Sequence, residues 1–276
     1  QAVFDQIVTD YEAFASKIGI KDFTPIPISG LTGDNIAGKS DATIWYNGGT
    51  LIQHLETVEI NTSAAAEKPF RMPVQWVNRP NLDFRGFSGL ISSGKISTGD
   101  NVRIVPSGRN TTIKSIVTQD GTLSEAVAGQ SVTLTFNDEV DCSRGDVVAL
   151  ADNPPASADR FEATLVWMSE EPLVPRRGYW LKIGTQIVSA SIQPPKYKIG
   201  INTLEHFAAK TLDLNSIGVC TFSTDKPITF EPYADSKTLG GFVLIDKMSN
   251  NTVAAGMINF SLRRAHNIHW QAADVD

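Results

Sequence analysis

The fold of this chain is decided by residues 85–106, which read RGFSGLISSGKISTGDNVRIVP. The pattern predicts a strand, a tight glycine-containing turn, and a second strand that ends at Gly99-Asp100. Glycine at such corners allows a positive φ angle and a close approach of two backbones. Small closed β-barrels need both properties, so this stretch indicates a barrel.

The regions on either side of this stretch have the same pattern of short predicted strands and turns. Short runs rich in Val, Ile and Thr, separated by Gly, Pro and Asn, extend from Phe70 to about Leu150. Their spacing is typical of a barrel. A linker over residues 152–157 precedes a second strand-rich block from Phe161 to Phe260. The predicted strands of the first block are Val74–Val77, Ser88–Ile91, Val102–Val105, Thr112–Val117, Val132–Phe136 and Val147–Leu150.

The first 60 residues have a different pattern. Apolar side chains at three- and four-residue spacing predict a helix over residues 2–18, and Gly49-Thr50 begins a second helix. The apolar run Phe23–Ile28 between them is predicted as a strand. One strand cannot bury two helices, so this half of an α/β unit needs neighbouring strands from elsewhere. A small-residue linker over 61–67 follows.

Composition limits the class of protein. The chain has 276 residues, 41% of them hydrophobic, and a net charge of −6, which suits two or three compact domains and no general basic field for nucleic acid. No apolar run approaches the roughly 18 residues that span a bilayer. Cys142 and Cys220 are far apart, which favours a reduced, cytoplasmic compartment but leaves one disulfide open. The start at Gln1 suggests that the natural N-terminus lies upstream.

Several stretches together resemble one family. They are residues 70–80 (FRMPVQWVNRP), 214–218 (LNSIG), 240–246 (GGFVLID) and 252–258 (TVAAGMI). They resemble the large, GTP-binding subunit of bacterial sulfate adenylyltransferase, within the elongation factor Tu-like GTPases. Elongation factor Tu itself has an Arg-Gly-Gly-Arg-Thr-Val-Gly-like segment where residues 250–256 read NNTVAAG. The resemblance covers nearly the whole chain and corresponds to the C-terminal part of the family only.

The resemblance implies a mainly β fold. Two tandem elongation-factor-type β-barrels would follow a truncated α/β remnant of a P-loop GTPase domain. The expected domains are residues 1–66 for the remnant, 67–152 for the first barrel and 158–264 for the second barrel. Residues 265–276 would be a tail or linker, and their sequence resembles the junction to an adenylylsulfate kinase domain that some relatives carry.

The resemblance also implies a function. The parent protein would couple GTP hydrolysis to the formation of adenosine 5′-phosphosulfate from ATP and sulfate, a reaction performed by a smaller catalytic subunit. Its cofactors would be GTP and Mg²⁺, with none expected on this chain, which should be inactive in isolation. The guanine base would be read by Ser29, Gly30 and Leu31, whose backbone N–H groups favour a carbonyl oxygen over an amino group. The family usually has Ala where this chain has Gly30. No catalytic or metal-binding residue is assigned.

Residues 33–40 (GDNIAGKS) match the phosphate-loop pattern G-x-x-x-x-G-K-[ST]. A working phosphate loop needs a strand directly before the first glycine and a helix that begins at the Lys-Ser pair. Here Ser29–Thr32 follow the predicted strand, and residues 41–49 are turn-rich and β-branched, which is a poor helix start. The match is therefore interpreted as a coincidence, against the alternative of an ATP or GTP site that uses Lys39.

Four further groups of residues are candidates for a functional role. His266 and His269 have a spacing that could hold a metal, but no acidic or cysteine cluster accompanies them, and a solvated tail is favoured. Cys142 lacks a flanking base, and Cys220 fits a core position. Residues 175–182 (PRRGYWLK) combine cations with aromatic rings, so a translation-factor-like module that binds RNA is the alternative function. Trp167, Trp180 and Phe242 could serve cores or interfaces.

Overall fold

The computed structural model describes residues 1–20, 22–58, 63–81 and 84–262. The chain divides into two compact units, residues 1–61 and residues from 62 onward. Among the helices of the described part, none is long and apolar enough to cross a membrane.

The first unit contains the two predicted helices. Helix α1 spans Ala2–Lys17, and helix α2 spans Leu51–Thr57 after a 3₁₀ turn at Asp41–Thr43. Thr50 caps α2, because its side-chain oxygen accepts a hydrogen bond from the Gln53 N–H at 3.2 Å. The strand predicted at Phe23–Ile28 does not form. Pro25 and Pro27 lack N–H donors, and none of the described residues of this unit supplies a neighbouring strand.

The first barrel begins after a short helix, α3 (Ser63–Ala66), which lies where the sequence predicted a linker. The order of its main sheet is β1-β10-β5-β6-β9-β3-β2; β7 pairs with β6, and β4 pairs with β8. Residues 74–75 separate two short strands, β1 and β2, where one strand was predicted. The strands are β1 Arg71–Pro73, β2 Trp76–Asn78, β3 Gly86–Leu90, β4 Lys95–Ser97, β5 Asn101–Val105, β6 Arg109–Thr118, β7 Gly121–Leu123, β8 Glu125–Val127, β9 Ser131–Phe136 and β10 Val147–Leu150.

Gly94 shows why the deciding stretch needs glycine. Its φ is +73°, and a Cβ atom there would lie 2.4 Å from the Cα and N of Phe70. Beside this contact, Arg71 and Ser93 form a bridge, with Arg71 N–H donating to the Ser93 carbonyl at 2.9 Å. The glycine therefore lets the end of the β3–β4 turn meet the start of β1.

The second barrel is a closed ring of six strands. The ring order is β11-β18-β17-β12-β13-β16, and β16 pairs back with β11. Strands β14 and β15 extend the sheet beyond β16, and a short helix, α4 (Lys237–Gly240), precedes β17. The strands are β11 Ala156–Trp167, β12 Gly178–Ile183, β13 Gln186–Ile192, β14 Tyr197–Ile199, β15 His206–Phe207, β16 Ile217–Phe230, β17 Gly241–Asp246 and β18 Thr252–Ser261.

Each barrel has its own apolar core. Phe87 stacks on Phe136 in the first, with ring centroids 4.7 Å apart, and Phe161 stacks on Phe222 in the second at 5.1 Å. Trp167 and Phe242 belong to the second core, whereas Trp180 is 38% exposed. The sequence had left these roles open.

The two barrels are joined by a buried ion pair. Arg71, at the start of β1, is 2% exposed, and its Nε lies 2.8 Å from Glu231 Oε1 just after β16. Arg71 Nη1 also donates to the Phe70 carbonyl at 2.8 Å. Thr185 adds a bond from its hydroxyl to the Val74 carbonyl at 2.9 Å. Polar contacts therefore connect the two barrels, and we call the Arg71–Glu231 pair and its neighbours the junction.

Candidate functional site: the loop that follows Ile28

The loop proposed to read a base is a tight turn closed by its own backbone. The Gly33 N–H donates to the Ser29 carbonyl at 2.9 Å, and the Ser29 N–H donates to the Asp34 carbonyl at 3.2 Å. The Ser29 hydroxyl oxygen accepts a hydrogen bond from the backbone N–H of Thr32 at 3.2 Å. It also lies 2.7 Å from the Thr32 hydroxyl oxygen, whose single proton is donated to the Asp34 carboxylate. Ser29 therefore fixes the turn by accepting at both its oxygens.

The tip of this turn presents unused donors. No described residue accepts a hydrogen bond from the backbone N–H of Gly30 or of Leu31. The Leu31 side chain is 96% exposed, and a Cβ at Gly30 would meet no atom within 4 Å. Two successive free N–H groups at an open tip are what a loop needs to bind a carbonyl oxygen.

Asn35 anchors the turn to the rest of the first unit. It is 1% exposed and has a φ of +54°, a conformation that Asn tolerates better than most residues. Its amide Nδ2 donates to the Pro27 carbonyl and to the Thr43 hydroxyl, both at 2.7 Å. Its Oδ1 accepts from the Ser40 N–H at 3.0 Å. Sequence reasoning missed this residue, because it was considered only as a variable position of the phosphate-loop pattern.

The phosphate-loop match at residues 33–40 does not have the geometry that phosphate binding needs. Ser40 caps a three-residue 3₁₀ turn in place of an α-helix. Its hydroxyl donates to Asp34 Oδ1 at 2.5 Å and accepts from the Ala42 N–H at 3.0 Å, so its proton and one lone pair are used within the loop. The hydroxyls of Ser40 and Thr32 lower the pKa of Asp34, which keeps a negative charge inside the loop. That charge would repel phosphate.

The two cysteines are buried free thiols. Burial raises the pKa of Cys142 to about 12, and the Asp146 carboxylate adds to the effect. Burial alone raises the pKa of Cys220 to about 12. Thiols of this kind remain protonated near neutral pH, so neither is suited to act as a nucleophile.

Within the basic–aromatic segment 175–182, Arg177 is paired with a carboxylate. Arg177 Nη2 lies 2.5 Å from Asp246 Oδ2, and its guanidinium lies 5.8 Å from the centre of the Tyr179 ring. The same cleft is lined by Glu170 and Glu171. Lys247 Nζ lies 4.2 Å from the centre of the Trp180 ring. A negatively charged RNA backbone would meet three carboxylates beside Arg177, which disfavours RNA binding there.

The histidines give no metal site within the described residues. No group of three or more His, Cys, Asp or Glu side chains in that part of the chain could hold a metal ion. His206 stacks on Tyr197, with ring centroids 3.8 Å apart. The predicted pair His266 and His269 lies outside the described residues.

Each of the two barrels matches a known domain family. Residues 87–149 match Elongation factor Tu domain 2, and residues 160–259 match the GTP-eEF1A C-terminal domain-like family. A crystal structure of Sup35 complexed with GMPPNP covers 94% of this chain and 65% of its own, with a TM-score of 0.67 and 20% identity. At that identity the likeness concerns the fold alone. The chain is thus a tandem-barrel protein of the elongation-factor type, as the fold prediction had it.

Two curated proteins are similar to this chain along its full length, and they define a narrower class than the fold does. The bifunctional enzyme NodQ of Rhizobium sp. (strain N33) is 48% identical over 275 residues, covering 100% of this chain and 42% of NodQ. Sulfate adenylyltransferase subunit 1 of Shewanella woodyi is 42% identical over 295 residues, covering 100% of this chain and 62% of that protein. The similarity to part of each of these proteins extends along the whole of this chain, which confirms the resemblance seen in the sequence. It spans about 42% to 62% of their length.

Proposed function

We propose that this chain is part of the GTP-binding subunit of a sulfate adenylyltransferase. In the whole protein, GTP hydrolysis with Mg²⁺ would drive the formation of adenosine 5′-phosphosulfate from ATP and sulfate by a partner catalytic subunit. The observation that carries the proposal is the similarity to subunit 1 of that enzyme along all of this chain. Under the same proposal, residues 1–66 belong to the GTPase domain, 67–152 to the first barrel, 158–264 to the second, and 265–276 to a linker.

A chimera tests this function. The matching segment of the Shewanella woodyi subunit 1 is replaced by this chain, and adenylylsulfate formation is measured with the catalytic subunit of the same organism. We expect activity that depends on GTP. A matched control carries the barrels of Sup35, which share the fold at 20% identity, and should be inactive. A folded chimera that hydrolyses GTP without forming adenylylsulfate would refute the proposal.

We also propose that Ser29, Gly30 and Leu31 read the guanine base. The free N–H groups of Gly30 and Leu31 can donate to the carbonyl oxygen of guanine, whereas adenine has an amino group at that position. The Ser29 hydroxyl holds the turn through Thr32 and leaves the tip open. Asn35 keeps the turn attached to the Pro27 carbonyl, so the donors stay in a fixed position.

Two substitutions of Leu31 distinguish the contribution of its backbone N–H from that of its side chain. In the chimera, Leu31→Pro removes one N–H, whereas Leu31→Ala removes only a side chain that is 96% exposed. We expect Leu31→Ala to bind GTP and ATP as the parent does. Leu31→Pro should lose about tenfold of its preference for GTP, the worth of roughly one hydrogen bond. Gly30→Pro tests the neighbouring donor in the same way, and unchanged selectivity in both proline variants would exclude the loop.

The RNA-binding alternative makes a different prediction. If the second barrel held RNA, binding of transfer RNA to this chain would be tight and would weaken steeply with salt. The carboxylates of Glu170, Glu171 and Asp246 beside Arg177 lead us to expect no such binding. A salt titration with transfer RNA therefore distinguishes the two functions.

A further inference from the structure

A cleft on the first barrel gathers cations that come from three parts of the chain. Its volume is about 270 Å³, and it is lined by Arg79, Arg85 and Lys114 together with Ser115, Thr135 and Asn137. Among the described residues none of the three cations has a carboxylate within ion-pair distance, because the four ion pairs found there involve other side chains. Within that part of the chain, no carboxylate is paired with these three charges. We call this site the cationic cleft.

Arg85 is held in place by the core beneath it. Its guanidinium lies 5.4 Å from the centre of the Phe87 ring, which is itself stacked on Phe136 at 4.7 Å. A cation over an aromatic face is stabilised by the ring and keeps its hydrogen-bond donors free at its edge. Arg85 is thus a pre-positioned donor of the kind that binds oxyanions in a bidentate way.

A strand irregularity places Lys114. The register between β6 and β9 shifts between Ile113 and Ser115, so Lys114 occupies a bulge. Bulges re-aim a side chain and are frequent beside functional sites. Lys114 and Ser115 consequently both lie on the accessible side of the strand, although they are adjacent in sequence. A regular strand would have turned one of them into the core.

The floor of the cleft contributes a free hydroxyl proton. Ser115 Oγ and Thr135 Oγ1 are 2.6 Å apart and share one hydrogen bond. Each hydroxyl carries one proton, and the pair uses only one of them. The other has no acceptor among the described residues, so it can donate to an oxygen in the cleft.

The carboxylates of the cleft limit the size of the anion. Asp138 and Glu139 also line it, and Asp138 Oδ2 accepts a hydrogen bond from the Thr111 hydroxyl at 2.9 Å. These two carboxylates oppose the binding of a long polyanion along the cleft, but the three cations outnumber them. We propose that the cationic cleft binds a small phosphate-bearing molecule, with Arg85 and Lys114 as the principal ligands of its phosphate oxygens.

Titration calorimetry of the 276-residue chain with inorganic pyrophosphate tests the site. We expect binding that weakens about tenfold or more in Lys114→Gln and in Arg85→Gln, the loss typical of one charge-assisted hydrogen bond. Arg109→Gln is the matched control, because it removes the same charge from the same strand outside the cleft. It should bind as the parent does. Arg85→Lys keeps the charge and should retain part of the affinity, and circular dichroism checks that each variant is folded.

Competition experiments then show which ligand occupies the cationic cleft. ATP competition that is sensitive to Lys114→Gln would identify the phosphate tail of a nucleotide, and competition by pyrophosphate alone would identify the free anion. Either result supports the proposal. Absence of pyrophosphate binding, equal losses in Lys114→Gln and Arg109→Gln, or a Lys114-dependent preference for an RNA oligonucleotide would overturn it. The cleft belongs to the first barrel alone, so these results are independent of the guanine loop.

Discussion

Replacing Arg71 with methionine tests how the two barrels are held together. Arg71 and Glu231 are separated by 160 residues, and their side chains are 2% and 19% exposed. The substitution keeps an apolar stem of similar length and removes the guanidinium. Glu231 then loses its cation, and the Phe70 carbonyl loses a donor at 2.8 Å.

The expected cost follows from this burial. Removing one partner of a buried ion pair costs about 3–5 kcal/mol, because the remaining charge is left without compensation. Glu231 retains some contact with water, so we expect a value near the lower end, about 3 kcal/mol. Replacing both residues, with Arg71→Met and Glu231→Leu, removes the stranded charge as well. The double variant should therefore recover most of the lost free energy of unfolding, which corresponds to a coupling free energy of about 2 kcal/mol between the two substitutions.

Urea unfolding followed by tryptophan fluorescence measures these free energies. Trp167 lies in the second core and reports on that barrel. The control is the exposed pair of Lys95 and Glu125, whose nitrogen and oxygen are 3.4 Å apart and whose side chains are 65% and 47% exposed. Lys95→Met should cost less than about 1 kcal/mol. If Arg71→Met costs no more than this control, or if the double variant recovers nothing, the pair does not stabilise the junction.

Three further predictions concern positions that the sequence singled out. Gly30→Ala should stabilise the chain by about 0.5 kcal/mol in urea unfolding, since its φ is not positive and its Cβ would meet no atom within 4 Å; a loss would contradict this. Cys142 and Cys220, with pKa values of about 12, should resist iodoacetamide near neutral pH until the chain unfolds, and mass spectrometry of the folded chain would reveal any early labelling. In the chimera, Lys39→Ala should leave filter binding of GTP unchanged, because the loop around it carries the Asp34 charge; a drop in affinity would restore the phosphate-loop interpretation.

The barrels could be predicted from the sequence because their signals are local. Alternation of apolar and polar residues identifies each strand, and a glycine such as Gly94 marks a corner that no other residue fits. The predicted strands Val132–Phe136 and Val147–Leu150 agree with the structure to within one residue. Strands β7 and β8 were missed, because three-residue strands that contain Gly or Glu have too little pattern to recognise.

The strand predicted at Phe23–Ile28 was wrong for a non-local reason. An apolar run identifies a segment that can become a strand, but a strand exists only when a second one accepts and donates its hydrogen bonds. Pro25 and Pro27 reduce the donors that this run could offer. The segment is apolar as the sequence shows, and the missing information was the neighbouring strand.

The same limit explains why the cationic cleft was not recognised in the sequence. Arg176 and Arg177 are adjacent and therefore attract notice, yet the charge of Arg177 is cancelled by Asp246, which a different strand supplies. Arg85 and Lys114 stand apart in the sequence, and only the pairing of β6 with β9 and the packing of Phe87 bring them to one cleft. Local charge density counts cations without their counterions, whereas binding depends on the cations that folding leaves unpaired. Under the proposal made above, the dispersed pair of Arg85 and Lys114 forms the anion site.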